Sequence, residues 1–290
     1  MGRWRNGIRA RLKISWEQSL GGSIPPLPTN YNMNKKQLDL IVMAGCIVLA
    51  VCLSLRYELP GLAVIVFYLL LPAIYLCIRE RKNYKKLTIA TLLFGISGIG
   101  VLDFIQEINN TWTSLPSRLV FPQKIFGLTP IDYAIFYFVW IFFICAFYEH
   151  FLDDEKKQKI SNHLAYALVP FVLAFAVVIT LFVFNPKFLA MPYAYLVVAF
   201  TGMFPAIAYM CFMKPRLIAK TAKLGAFFFV LFLAYELTSL KTNLWSFPGQ
   251  YIGLVTLFGL TFPIEEFIFW ICLGAPSVIA YYEFSIDDGK

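Results

Sequence analysis

The stretch GLTFPIEEFIFW, residues 259 to 270, sets two adjacent carboxylates, Glu265 and Glu266, in a run of large apolar side chains just after Pro263. A carboxylate inside a bilayer costs about 2.5 to 3.5 kcal/mol on insertion scales, so it persists where it has a task or a partner. Asp103, Asp132 and Glu236 occupy similar apolar surroundings. Several carboxyls crowded into one dry site cannot all ionise together, and one that keeps its proton is a general acid. Aromatic residues stand close by in the sequence: Trp112, Tyr133, Trp245, Phe269 and Trp270. Ring faces stabilise a passing cation through their quadrupole without offering a nucleophile. This chemistry suits protonation of an isoprenoid double bond, ring closure through a carbocation, and loss of a proton from a neighbouring carbon. It calls for no redox change, no cofactor and no metal.

A plainer reading of these acids is a helix start, because Pro suits the first turn and acids there favour the positive end of the helix dipole. Thr129-Pro130-Ile131-Asp132 even resembles a capping box. For Asp132 the two readings are balanced. Glu265 and Glu266 are harder to reduce to capping, since one carboxylate would suffice and neighbours on a helix point about 100° apart. At most one of the pair aims squarely into a given cavity, which leaves the other to support it.

The elements that position these residues follow from composition. With 59% hydrophobic residues, 18% aromatics and 14% charge in 290 residues, the chain reads as an all-α, polytopic integral membrane protein. Apolar stretches of membrane-spanning length lie at 38–55, 61–78, 87–105, 130–149, 163–184, 191–213, 222–240 and 262–282. None shows the alternation of a membrane barrel, so all eight are expected as transmembrane helices. With the N-terminus inside, 20 of the 25 Lys and Arg fall on one face, which predicts both termini cytoplasmic and a place in the plasma membrane. The net charge of +8 is thereby a topology signal, with the lipid bilayer as partner and no nucleic acid implied.

The basic, Gly/Pro-interrupted segment 1–37 is expected as a cytoplasmic tail. Offsetting the rest by 133 residues sets Pro72 on Pro205, Asp103 on Glu236, Asn110 on Asn243, Trp112 on Trp245, Pro130 on Pro263 and Tyr148 on Tyr281 without a gap. This predicts two parallel four-helix repeats, 38–156 and 157–290, related by an axis along the membrane normal. The first carries a degenerate motif, Pro130-Ile131-Asp132-Tyr133, and the second Pro263-Ile264-Glu265-Glu266. The acids of the two copies are expected to meet near the repeat interface, with Trp112 and Trp245 as lids.

Other features read as structural. Gly95, Gly98 and Gly100 imply close helix packing rather than a nucleotide loop. Asp153-Asp154 and Asp287-Asp288 are expected as solvated helix ends, and the six cysteines as packing residues. His150 and His163 lack ligand spacing.

Pro263-Ile264-Glu265-Glu266 with Phe269, preceded by Glu236 and Trp245 and repeated in weaker form upstream, resembles the lycopene cyclase domain of heterodimeric and fused carotenoid cyclases. The resemblance covers about residues 60 to 150 and 190 to 285. It implies an isomerase-type membrane enzyme that closes rings at the ends of lycopene or a related carotenoid, with Glu265 and Glu266 as the nominated residues. It also leaves room for association with other carotenoid enzymes. On this reading Glu265 or Glu266 gives the proton, while Asp103, Asp132 and Glu236 tune it or take the final one. Two alternatives stay open: a cyclase acting on another isoprenoid, and a proton-coupled small-solute transporter, since parallel repeats with intramembrane acids also describe carriers.

Overall fold

The computed structural model describes residues 34–79, 83–153 and 160–287. Most of the expected tail, the Arg81 and Lys82 part of the first basic loop, Asp154, the segment 155–159, Asp288 and Lys290 lie outside them. The chain divides at Asp39 into two units, and residues from Leu40 onward form the second.

The fold is mostly helical. Seven helices are long and apolar enough to cross a membrane: α1 Lys35–Tyr57, α2 Gly61–Arg79, α3 Tyr84–Ile108, α4 Ile131–Phe151, α5 Leu164–Phe184, α6 Ala194–Met213 and α7 Leu217–Lys241. An eighth span, α8, is two segments, Glu266–Cys272 and Gly274–Ser285, bent by 51° at Leu273. The sequence places these spans within a few residues, except that 130 of the fourth and 262–263 of the last are strand. Most of these helices are apolar nearly all round, as expected where both lipid and core are greasy. α4 packs against α2 and α3 and is the most deeply buried of the seven, whereas α5 is the least buried.

Three segments carry wide π-type turns: Val66–Leu70 in α2, Gly98–Asp103 in α3, and Glu266–Cys272 in α8. Each inserts a residue into the helical ladder, a feature enriched at functional sites. The connections are less uniform than an all-helical reading expects, because short ladders form among the described residues. β1 (Thr113–Ser114) pairs antiparallel with β4 (Trp245–Ser246). β2 (Lys124–Ile125) pairs with β3 (Thr129–Pro130), and β5 (Leu254–Leu257) with β6 (Leu260–Pro263). Backbone groups in a loop must find partners, and pairing with the next strand supplies them.

The β5–β6 turn, Phe258-Gly259, has positive φ at both residues, 52° and 77°, as a two-residue I′ hairpin requires. Asn110 and Asn243, just past the ends of α3 and α7, both sit in the left-handed region at 50° and 54°. Asn tolerates that conformation and closes a helix there.

The three glycines of α3 make room for rings rather than for another helix backbone. A Cβ at Gly95 would stand 2.5 Å from Phe138, and one at Gly98 would stand 2.6 Å from Tyr137. At Gly100 the neighbour is Phe175, at 2.1 Å. All six cysteines are free; Cys145 is buried, while Cys52 and Cys211 are exposed rather than packed.

Candidate functional site

A cavity of about 560 Å³ lies between α3, α4, α5, α6 and α8. Its walls at the hairpin end include three carboxyl side chains, Asp103, Asp132 and Glu266.

Glu266 is 7% exposed and opens the π-type turn of α8. One of its oxygens accepts a hydrogen bond from the Tyr195 hydroxyl on α6. Its carboxyl also lies close to that of Glu236 on α7. Two carboxylates only accept, so this contact is attractive when one of them carries a proton. Glu236 is fully buried and accepts a hydrogen bond from Trp245 Nε1 at 3.1 Å, and its other oxygen meets no donor among the described residues. A buried, donor-less oxygen beside a second carboxyl is where a shared proton fits.

Asp103, at the end of the π-type turn in α3, is also fully buried. One oxygen accepts from the Thr129 hydroxyl, and the Tyr137 side chain of α4 lies beside it. Tyr137 lines the cavity together with Asp103 and Glu266, within electrostatic reach of both acids. Gly98 gives its ring the space to do so.

Asp132 and Glu265 do something else. Asp132 accepts backbone N–H groups of Val120 and Phe121 at 2.8 and 2.9 Å, and Glu265 accepts that of Ile252 at 2.7 Å. Each braces the loop in front of its own helix, as a carboxylate at a helix start can. Glu265 is fully buried and lies off the cavity wall, so of the adjacent pair only Glu266 points in. The support that Glu265 gives is to the backbone rather than a hydrogen bond to its neighbour.

Trp112, Tyr133, Trp245 and Trp270 line the cavity, and Phe269 does not. Phe269 packs behind it with Tyr195 and Ala199. Trp112 meets Tyr195 edge-on at 5.4 Å, and Trp245 stacks on Tyr235 at 5.3 Å, which holds both indoles at the hairpin end. Tyr133 donates to Ser114 Oγ at 2.7 Å. Deeper in, Phe136, Trp140 and Trp270 cluster with centroids 5.1 to 6.1 Å apart, a separation at which aromatic rings attract. Two connecting loops are tied down beside this end. Arg118 donates to the carbonyls of Glu58 and Thr242, both at 2.7 Å, and Tyr251 donates to the carbonyl of Thr111. Burial pushes the Tyr251 phenol up from its ordinary range, so it stays a donor.

The opposite end of the bundle holds a second polar cluster. Tyr148 donates to Glu283, and Tyr282 donates to Glu149. Lys86 pairs with Asp287, and Lys220 approaches Asp153 at 3.9 Å. Asp153 and Asp287 are therefore buried partners of lysines, which corrects the expectation of solvated helix ends; their side chains are 2% and 5% exposed. Carboxylate oxygens of Glu149, Asp153 and Asp287 come within 4.8 Å of one another. Lys86, Asn83 and Tyr282 already engage this group, so its charge is met by protein donors.

Sequence reasoning missed Tyr137 and Tyr195. Each is one of 16 tyrosines with no motif around it, and only the packing of α4 and α6 on α8 brings them to the acids. No protein-family model, curated protein or solved structure matches this chain.

Proposed function

We propose that this protein is a membrane-embedded isoprenoid cyclase of the lycopene cyclase type. The observation that carries the reading is Glu266 at the wall of an aromatic cavity inside the helical bundle, with the buried carboxyl of Glu236 close behind it. Glu266 gives its proton to the terminal double bond of a linear carotenoid. The tertiary cation that results is attacked by the π electrons of an internal double bond, which closes the ring and moves the positive charge to a ring carbon. Loss of a proton from an adjacent carbon restores an alkene, so the reaction is an isomerisation. Asp103, which lines the same cavity as Glu266, is placed to take that proton, and Glu236 is placed to return a proton to Glu266 between turnovers. Trp112, Trp245, Trp270 and Trp140 offer ring faces to the cation and keep water, the competing nucleophile, away.

The halves are read as duplicated copies, and reciprocal contacts support this. Tyr148 and Tyr282 each bond the other half's glutamate, Lys86 and Lys220 each reach the other half's aspartate, and Thr113 pairs with Ser246, its own counterpart. The catalytic pair then belongs to the second copy, and Tyr133 stands where the first copy lacks a carboxylate. The lysine balance orients the hairpins away from the cytoplasm, with both termini cytoplasmic and the plasma membrane as site. Expression in a lycopene-accumulating bacterium tests the reading. Cyclic carotenoid is the expected product. Unchanged lycopene beside well-folded protein would overturn it, and uptake of a small solute driven by a pH gradient would favour a carrier.

A further inference from the structure

The acid chamber is only one end of the cavity. Its wall follows α3 from Phe94 to Gln106, a length of about 18 Å at 1.5 Å per residue and more than half of a bilayer's apolar thickness of about 30 Å. At the far end lie Tyr166 and Phe284. Its carboxyls are confined to the hairpin end, and the long remainder is walled by side chains such as Phe94, Phe171, Ala174, Val198 and Val278.

Where this space reaches the surface is set by two helices. Of all the residues that line it, those that are exposed are Tyr166 and Pro170 on α5 and Thr201 on α6. α5 packs on α3 and α8, and α6 packs on α8 and the end of α3, so the two flank a cleft over the same neighbours. Phe94, Phe171 and Tyr281 form its floor, with centroids 5.8 to 6.1 Å apart. The Tyr281 hydroxyl donates to the Gly202 carbonyl at 2.6 Å and fixes α6 at this level, where Gly202 keeps the wall thin. A Cβ there would meet Leu102 alone, at 3.6 Å. The opening thus faces sideways, out of an otherwise apolar surface.

We infer that the cleft between α5 and α6 is the portal through which a long linear isoprenoid passes from the bilayer, and the groove in which its unreacted chain stays while one end group sits at Glu266. The identity of the occupant rests on the cyclase reading. A soluble solute would have to cross lipid to reach such a portal, whereas a chain already dissolved there needs only to slide in end first. The chain gains contact with the groove and gives up contact with lipid, so shape rather than hydrophobicity retains it.

A geranylgeranyl chain bearing a terminal diazirine, added to the full-length protein in lipid nanodiscs, tests this without any turnover. Photolysis is expected to label Tyr166, Phe171, Thr201 or Met203. Ala174→Trp and Gly202→Leu, each filling the groove away from the acids, should lower that labelling by about tenfold, a loss of about 1.4 kcal/mol in binding. Lys220→Met, outside the groove, should leave it unchanged. Labels spread evenly over lipid-facing residues such as Phe184 and Phe212, or labels indifferent to both groove-filling variants, overturn the portal. Should the parent fail to cyclise lycopene while the groove is still labelled selectively, the cyclase reading falls and the groove stands. Should lycopene be cyclised equally well by both groove-filling variants, the portal falls and the cyclase stands.

Discussion

Glutamine at position 266 separates the proposed proton donation from every other role of that side chain. Its amide carbonyl still accepts from Tyr195, and its NH₂ group donates to Glu236, which has an oxygen without a donor. Packing and hydrogen bonds survive, and only the transferable proton is lost. A positioned general acid contributes about 10²- to 10⁴-fold in rate, so Glu266→Gln should lower conversion of lycopene by about that factor at unchanged protein level. Glu265→Gln is the matched control. Its carbonyl keeps the Ile252 N–H, at 2.7 Å in the parent, while the new NH₂ replaces an oxygen that meets no partner. The cost there is that of a buried unsatisfied group, about 1 to 3 kcal/mol of stability, with turnover per folded molecule retained. Chromatography of pigment extracts, scaled to membrane protein measured by immunoblot, reads both. Loss of cyclisation in Glu265→Gln with activity kept in Glu266→Gln would refute the assignment of roles.

Tyr195→Phe should cost about 10- to 100-fold in turnover, since it removes a hydrogen bond to the donor carboxyl worth about 1.5 to 3 kcal/mol, and steady-state rates in detergent check this. Gly98→Ala builds a Cβ 2.6 Å from the Tyr137 ring, which is 7% exposed and has little room to swing. Overpacking of about 1 to 3 kcal/mol should appear in thermal unfolding together with slower cyclisation; a fully active Gly98→Ala would show that the ring position is irrelevant. Lys86→Met leaves Asp287 buried and uncompensated, an expected loss of about 3 to 5 kcal/mol. Lys220→Met, from a side chain 35% exposed and 3.9 Å from Asp153, should cost less than about 1 kcal/mol, and equal losses in the two would contradict the burial difference.

Much of the architecture is legible in composition and periodicity, because a run of apolar residues long enough to span has few alternatives in lipid. The 100° between adjacent helical residues also anticipates that only one of Glu265 and Glu266 faces the cavity. Which one does so depends on the loop before α8: Glu265 is claimed by Ile252 N–H, a contact that pairing of β5 with β6 sets up and that no local pattern announces. Likewise Asp132 resembles a catalytic acid and a capping residue equally well in sequence, and only the folded chain shows that it braces Val120 and Phe121 while also lining the cavity. Tyr137 and Tyr195 were invisible because nothing in a helix of mixed aromatics marks the ring that meets a carboxyl. Asp153 and Asp287 look solvated at helix ends, and only the crossing of the bundle brings Lys220 and Lys86 to them.

The wide turns bear on the proposed duplication in a way that the ungapped offset of 133 conceals. Asp103 and Glu236 are 133 apart, as are Asn110 and Asn243, whereas Lys86 and Lys220, Tyr148 and Tyr282, and Asp153 and Asp287 are 134 apart. The backbone agrees: Asp153 N bonds Tyr148 O and Asp287 N bonds Tyr282 O, both at 2.9 Å. Between Lys86 and Asp103 the first half has the π-type turn Gly98–Asp103, and after Pro263 the second half has Glu266–Cys272. One inserted residue in each accounts for both changes of offset. An added residue turns the helix beyond it by about 100°, so the lysine and tyrosine contacts at one end can stay reciprocal while the acids at the other end are aimed differently. Tyr133 and Glu266 differ by residue type, whereas Asp103 and Glu236 are matching acids of different aim: Asp103 lines the cavity and Glu236 does not. The inserted turns let one half present Asp103 to the cavity beside the other half's Glu266, an asymmetry that suits the proposed proton acceptor and proton donor on one substrate.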